Sequence, residues 1–144
     1  MRIDADMTDA IRLVLKKYWD YDGFLPLQEE AMNCVLTGRD SIVVLPTGGG
    51  KSLCFQAPAM VKPGLTLVVS PLLSLMKDQV DTLLDNGIPA ARIDSSVSRD
   101  EKADVYRKLR ARTLKLLYVS PERLLREGFL DFLKTAGVCA VAID

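Results

Sequence analysis

Histidine is absent from the 144-residue chain, and cysteine occurs only at Cys34, Cys54 and Cys139. The three thiols are odd in number, far apart and flanked by apolar residues, and no CxxC pair exists. Without histidine or paired cysteine the segment holds no zinc centre. The expectation is three buried, reduced thiols of a cytosolic protein. Net charge is missing too: 19 Lys and Arg balance 19 Asp and Glu. Bulk charge therefore shows no nucleic-acid footprint, so any such contact must come from local features or from parts of the protein outside this chain. The uncharged stretches contain Pro and Gly and fall short of a membrane span. The start, Met1-Arg2-Ile3-Asp4-Ala5-Asp6, is acidic and has no apolar h-region of a signal peptide. A soluble, intracellular protein without a membrane partner is expected, cytoplasmic or nuclear. Low-complexity tracts and fixed-period repeats are also lacking. What remains is ordinary globular composition, 49% hydrophobic and 26% charged, in one domain's length. A chain of this size hides roughly 68–70% of its unfolded surface.

Two helices lead the chain. Residues 8–19 place Ile11, Val14, Leu15 and Tyr18 on one face, with Thr8 as cap and Asp9 at the positive end of the dipole. Asp20-Tyr21-Asp22-Gly23 breaks that helix. A second runs over 26–36, with Pro26 in its first turn and Gly38 past its end. The pattern then changes. Short apolar runs at 41–45, 65–69, 90–93, 114–119 and 138–143 read as buried strands. Helices fill the gaps: one from 51 that Pro58 must kink or stop, then 72–86, 99–111, and 122–134 with a break at Gly128. The charged clusters at 99–102 and 107–110 read as solvated helix faces. This alternation predicts an α/β fold, a parallel sheet with helices on both faces. By motif order, residues 1–40 form an N-terminal helical segment and 41–144 a nucleotide-binding domain.

The strongest motif is Leu45-Pro46-Thr47-Gly48-Gly49-Gly50-Lys51-Ser52. It fits GxxxxGK[ST] except that Leu45 replaces the first glycine, and it sits between a predicted strand and a helix, as the motif requires. Polyphosphate needs donors without bulk. Gly48, Gly49 and Gly50 let backbone N–H groups turn inward, because glycine tolerates positive φ and has no Cβ; Thr47, just before them, belongs to the same binding set. The helix start adds its partial positive charge. Lys51 supplies a mobile full charge, and Ser52 a hydroxyl for Mg²⁺. A glycine-rich turn without a ligand is the bland alternative.

The run from Val43 to Ala59, VVLPTGGGKSLCFQAPA, resembles RecQ helicases of superfamily 2. Phe24-Leu25-Pro26-Leu27-Gln28-Glu29-Glu30-Ala31 is similar to that family's motif 0. The stretch from Val69 to Val80 is similar to motif Ia, and Val119 to Leu124 to motif Ib. Ala140-Val141-Ala142-Ile143-Asp144 resembles the strand entering the second nucleotide motif. The resemblance implies a RecA-like P-loop NTPase: an incomplete first motor lobe, without the second lobe and without turnover on its own. It implies ATP with Mg²⁺ as cofactors, single-stranded and duplex DNA as partners, and a 3′-to-5′ helicase of recombination and repair. Carried onto this chain, Gln28 reads the adenine edge and Tyr21 stacks on the base, or is a plain tyrosine. Asp144 holds Mg²⁺, or is a strand-end turn residue. Lys51 and Asp144 are the catalytic pair. Ser70, Lys77, Ser96, Ser120 and Arg123 are the candidates for DNA backbone contact, with helix capping or solvation as the alternative for each. Leu25 and Leu27 depart from the family, which has Arg and Gly there; nucleotide affinity is expected to be weaker or differently organised. Another superfamily 2 helicase or translocase, or a non-catalytic nucleotide-binding module, are the rival readings.

Overall fold

The computed structural model describes residues 5–144; residues 1–4 lie outside the described residues. Packing divides the chain into two compact units, Met1–Pro63 and Gly64–Asp144. The segmentation at residue 40 follows motif order instead, a different criterion.

The first unit holds α1 (Ala5–Trp19), α2 (Gln28–Leu36) and α3 (Leu53–Val61). Its core is Ile11, Leu15, Met32, Leu36, Leu53 and Ala57. These are three i,i+4 pairs, one per helix, the spacing that stacks side chains on one helical face. Thr8 is inside α1 rather than at its cap, since the helix already runs from Ala5. Pro58 does not stop α3, which continues to Val61. The helix is short and almost wholly buried, so packing offsets the hydrogen bond that proline cannot make. Two side chains close α2: Thr37 Oγ1 donates to Asn33 O at 2.7 Å and Lys62 Nζ to Val35 O at 3.0 Å.

Leu27, the N-cap of α2, stands in the left-handed region at φ 68° and is 57% exposed. That conformation costs a non-glycine residue about 1–2 kcal/mol, and leucine gains little burial in return. Leu27→Gly is therefore expected to stabilise the unit by about 0.5–1 kcal/mol after glycine's larger unfolded-state entropy is subtracted. A higher urea midpoint at unchanged slope would register it; an unchanged or lower midpoint would contradict it.

The run 41–45 is not a strand. It pairs with no strand among the described residues, and Ile42 and Val44 are 94% and 82% exposed. Its β-branched composition satisfies local propensity, but a strand also needs a distant backbone partner.

In the second unit, β1 (Leu65–Val69), β2 (Ala90–Ile93), β3 (Leu116–Val119) and β4 (Val138–Ile143) form a parallel sheet in the order β2-β3-β1-β4. Between them run α4 (Leu73–Asp85), α5 (Arg99–Ala111), α6 (Pro121–Leu124) and α7 (Phe129–Thr135). Leu67 aligns with Leu117, and Leu117 with Ala91; Val69 aligns with Val119, and Val119 with Ile93. This row packs on Val105 and Leu109 of α5 and Phe129 and Leu133 of α7. The alternate residues face the other side, where Tyr118 Oη donates to Gln79 Oε1 of α4 at 2.7 Å. Helices thus cover both faces, and crossover through helices is what parallel strands require. A bulge between Leu65 and Thr66 shifts the pairing with β4. At that edge Val141 and Ile143 remain 59% and 85% exposed.

No helix of the described residues is long and apolar enough to cross a membrane. Of the cysteines, only Cys54 is fully buried; Cys34 and Cys139 are half-buried. Burial pushes the Cys54 thiol above its ordinary pKa.

Candidate nucleotide site and a cationic groove

In the first unit a cavity of about 620 Å³ is walled by the turn after α1, the α2 start and the glycine loop; Tyr21, Leu25, Gln28, Gly48, Gly50 and Ser52 are among its lining residues. The turn is built from a left-handed Asp20, φ 58°. Tyr21 N donates to Leu15 O at 3.2 Å. Lys16 Nζ bridges Asp20 Oδ1 at 2.8 Å and Asp22 Oδ1 at 3.1 Å on either side of Tyr21. The bonds to Asp20 and Asp22 hold the Lys16 ammonium above its usual range and the bond to Lys16 holds Asp20 below its own. Tyr21 is left 52% exposed at the cavity.

The glycine loop is shaped by close approach. Gly48 and Gly50 stand at φ 80° and 73°. A Cβ on Gly49 would lie 2.9 Å from Pro46 O, and one on Gly50 2.2 Å from Gln28 Nε2. Any side chain here would fill the cradle. Gly49 N donates to Pro46 O at 2.9 Å, closing the turn. Ser52 is the N-cap of α3, yet its hydroxyl does not cap the helix. Thr47 and Lys51 are exposed on the same loop. Gln28 is 1% exposed, with Oε1 accepting from Leu25 N at 2.8 Å and Nε2 donating to Gly50 O at 3.0 Å. The sequence pointed to Tyr21, Gln28, Thr47, Gly48, Gly49, Gly50, Lys51 and Ser52 as one site; Tyr21, Gln28, Gly48, Gly50 and Ser52 line the cavity, and Thr47, Gly49 and Lys51 are not among its lining residues. Gln56 is a residue it missed: it lines the same cavity and is 6% exposed. Its signal was the i,i+4 spacing from Ser52, which places both on one helical face.

In the second unit a groove of about 300 Å³ opens beyond the carboxyl ends of β1, β2 and β3, with Ser95, Lys102, Ser120, Arg123 and Arg126 among its lining residues. Ser120 caps α6, accepting from Arg123 N at 3.4 Å. The Arg123 guanidinium lies 5.2 Å over the Phe129 ring and donates to the Tyr106 hydroxyl. Its buried Nε has no hydrogen-bond partner among the described residues. Asp94, 3% exposed, fixes the groove's β2 rim: it accepts from Arg92 Nη1 and Ser96 N, both at 2.7 Å, and from the Ser96 hydroxyl.

The five candidates for backbone contact are thus separated. Ser120 and Arg123 line the groove. Ser70 is 2% exposed and its hydroxyl accepts from Leu72 N at 3.3 Å, two residues before the α4 cap, which is Leu72. Ser96 is tied to Asp94 and Arg92. Lys77 pairs with Asp81 at 2.7 Å on the exposed side of α4, away from the groove lining. Lys102 and Arg126 were missed. Lys102 sits in a charged cluster that reads as solvated, but it is half-buried in the groove wall. The cluster at 107–110 does behave as a solvated face: Arg107 and Lys108 both pair with Asp104. Asp144, just past β4, donates its N–H to Val69 O at 2.9 Å, which fixes its backbone at the carboxyl end of the sheet.

The chain is 50% identical over 131 residues to the ATP-dependent DNA helicase RecQ of Haemophilus influenzae, covering 91% of this chain and 21% of that protein. It is 52% identical over 129 residues to the protein of the same name from Synechocystis, covering 90% and 27%. It is 39% identical over 148 residues to the ATP-dependent DNA helicase Q1 of Rattus norvegicus, covering 98% and 24%. The chain therefore spans about a quarter or less of the length of these curated relatives. The family model described as DEAD/DEAH box helicase matches residues 25–143. Because that match runs unbroken from the segment before α2 to the end of β4, the chain belongs to the DEAD/DEAH box helicase family.

Proposed function

We propose that this chain is the ATP-binding part of the first motor lobe of a RecQ-type, ATP-dependent DNA helicase. One observation carries the reading: a single cavity is walled both by the glycine loop that suits a triphosphate and by the Tyr21–Gln28 segment that suits a base. Glycine also suits the loop's own packing, since a Cβ at Gly49 would meet Pro46 O and one at Gly50 the Gln28 amide.

In this reading Gly48, Gly49, Gly50 and Thr47 present backbone N–H groups to the phosphates, and Lys51 neutralises their outer charge. Ser52 offers a hydroxyl to Mg²⁺, and Asp144 is a carboxylate of the kind that binds Mg²⁺. Bound Mg²⁺-ATP supplies the free energy of phosphoryl transfer. Tyr21 offers a π-face to the base. The second-unit groove holds nucleic-acid backbone, with Lys102, Arg123 and Arg126 as cations and Ser95 and Ser120 as neutral donors. Phosphate contact of this kind is local, which reconciles it with a chain of zero net charge.

DNA-dependent ATP hydrolysis by the intact protein tests the whole reading. Stimulation by single-stranded DNA is expected. Stimulation by RNA alone would return the protein to the wider family, and no stimulation by either would overturn the motor assignment. The groove has its own test. Changing Lys102 and Arg126 together to glutamine is expected to flatten the slope of log affinity against log salt for single-stranded DNA by about 1.4, roughly 0.7 for each lost phosphate contact. An unchanged slope removes both residues from the interface.

A further inference from the structure

We propose that Tyr106 is a neutral anchor for Arg123: its hydroxyl and ring hold the guanidinium at the groove before a phosphate arrives, without cancelling its charge. The proposal rests on the reading of the second-unit groove as a nucleic-acid site. It assigns to that site a positioning residue on α5, one that is not among the groove's lining residues.

Three helices converge on this guanidinium. Arg123 belongs to α6, and its backbone is fixed where its N–H donates to the Ser120 hydroxyl at 3.4 Å. Its guanidinium carbon lies 5.8 Å from the centre of the Tyr106 ring of α5 and 5.2 Å from that of Phe129 of α7. Nη2 donates to the Tyr106 hydroxyl. The rings are themselves held. Phe129 is 4% exposed. Tyr106 packs against the same core and meets Phe132 edge-on, with ring centres 5.0 Å apart. A guanidinium in this company has few orientations left.

The chemistry of the partner decides what the arginine can do. A carboxylate fixes a guanidinium well, but the ion pair leaves little net charge. Arg92 shows that arrangement in the same unit, paired with Asp94 at 2.7 Å. Arg123 is built the other way. Among the described residues no carboxylate pairs with it, although Glu122 is its sequence neighbour and lines the same groove. Its side chain hydrogen-bonds to a hydroxyl, and its ring contacts attract a cation without neutralising it. The buried Nε adds no bond among those residues, so the Tyr106 hydroxyl is the group that fixes the plane of the fork. A phosphate binding a free arginine must restrict a long, rotamer-rich side chain, and that cost falls where the side chain is already held.

A double-mutant cycle separates anchoring from direct contact. Affinity for a labelled oligothymidylate is measured by fluorescence anisotropy over a series of salt concentrations, without nucleotide. The intact protein is compared with its Tyr106→Phe and Arg123→Gln variants and with the variant carrying both changes. Tyr106→Phe removes one oxygen and keeps the ring packing, so the fold is not at stake. The anchor predicts that Tyr106→Phe weakens binding about fivefold, the cost of immobilising one such side chain. Its slope of log affinity against log salt should match the parent's, because the phosphate contact still forms. Arg123→Gln should flatten that slope by about 0.7. In the Arg123→Gln background, Tyr106→Phe should then change nothing. Unchanged affinity in Tyr106→Phe, or a loss of the same size in the Arg123→Gln background, would overturn the anchor. If Arg123→Gln leaves affinity and slope as they were, or the parent does not bind the oligonucleotide, Arg123 is not at a nucleic-acid interface and the anchor falls with that reading.

Discussion

Replacing Asp94 by alanine is expected to destabilise the second unit by about 3 kcal/mol, near the low end of what breaking a buried ion pair costs. The Asp94 side chain is 0% exposed, and that of its partner Arg92 is 17% exposed, which leaves the guanidinium some water after the loss. Three donors would lose their acceptor together: Arg92 Nη1, Ser96 N and the Ser96 hydroxyl. Asp94→Asn keeps an oxygen for Ser96 but removes the charge and turns a donor toward Arg92, so it should cost less than alanine by what the Ser96 bonds contribute. Chemical denaturation of the two variants gives the comparison; equal losses would mean that the bonds from Ser96 carry nothing here and the contact with Arg92 carries the whole effect. Acidity should reproduce the effect. Burial raises the Asp94 pKa, but the bonds from Ser96 and Arg92 outweigh it, and the carboxyl is held below its ordinary value. A depressed folded-state pKa contributes stability that is complete above the unfolded value, near 4, and is lost as pH falls through the folded one. The ion pair's contribution should therefore be flat from neutrality to about pH 5 and decline below about pH 4. In Asp94→Ala that part of the acid dependence should vanish.

Lys51→Ala should lower nucleotide turnover in the intact protein by about 10²–10³-fold, the loss typical when one preorganised group facing developing charge is removed. The residue is exposed on the loop between Gly50 and α3. The fold should hardly notice, since a surface substitution of this kind costs about 0.5 kcal/mol or less. Lys51→Arg is a sharper variant. It keeps the charge but replaces a compact ammonium with a planar fork on a longer reach. Partial binding without turnover is the outcome expected there. Phosphate-release assays and calorimetry measure the two quantities separately. Turnover retained in Lys51→Ala would remove the loop from the chemistry, whatever else the cavity binds.

Much of this was legible in the residues because local rules govern it. β1, β2 and β4 fall where apolar runs place them, and α5 at Arg99–Ala111 matches its period to the residue. The glycine loop and the Tyr21–Gln28 segment could be assigned to one site because each motif carries its own chemistry. The failures share a physical cause, dependence on distant partners. The run 41–45 has strand composition, but composition says nothing about who pairs with it. Pro58 was expected to kink or stop its helix, and the stop does not occur: α3 continues to Val61. Ser96 looked available for a phosphate, and only the fold shows that Asp94 and Arg92 claim it. Lys102 looked solvated, and only the fold turns it into a groove.

The two rims of the sheet differ in how well they resist another chain. β2 is four residues long and ends in the Arg92–Asp94 pair. Charge and brevity both discourage a foreign strand from adding there. β4 is six residues long, Val-Cys-Ala-Val-Ala-Ile, without a charged or proline gatekeeper, and its apolar tips stand in water. Its bulge lies at the entry, opposite Leu65 and Thr66, so the length beyond it stays regular. Crowded solutions of this polypeptide should therefore begin to stick along that seam, copy against copy, before any other part of the molecule gives way.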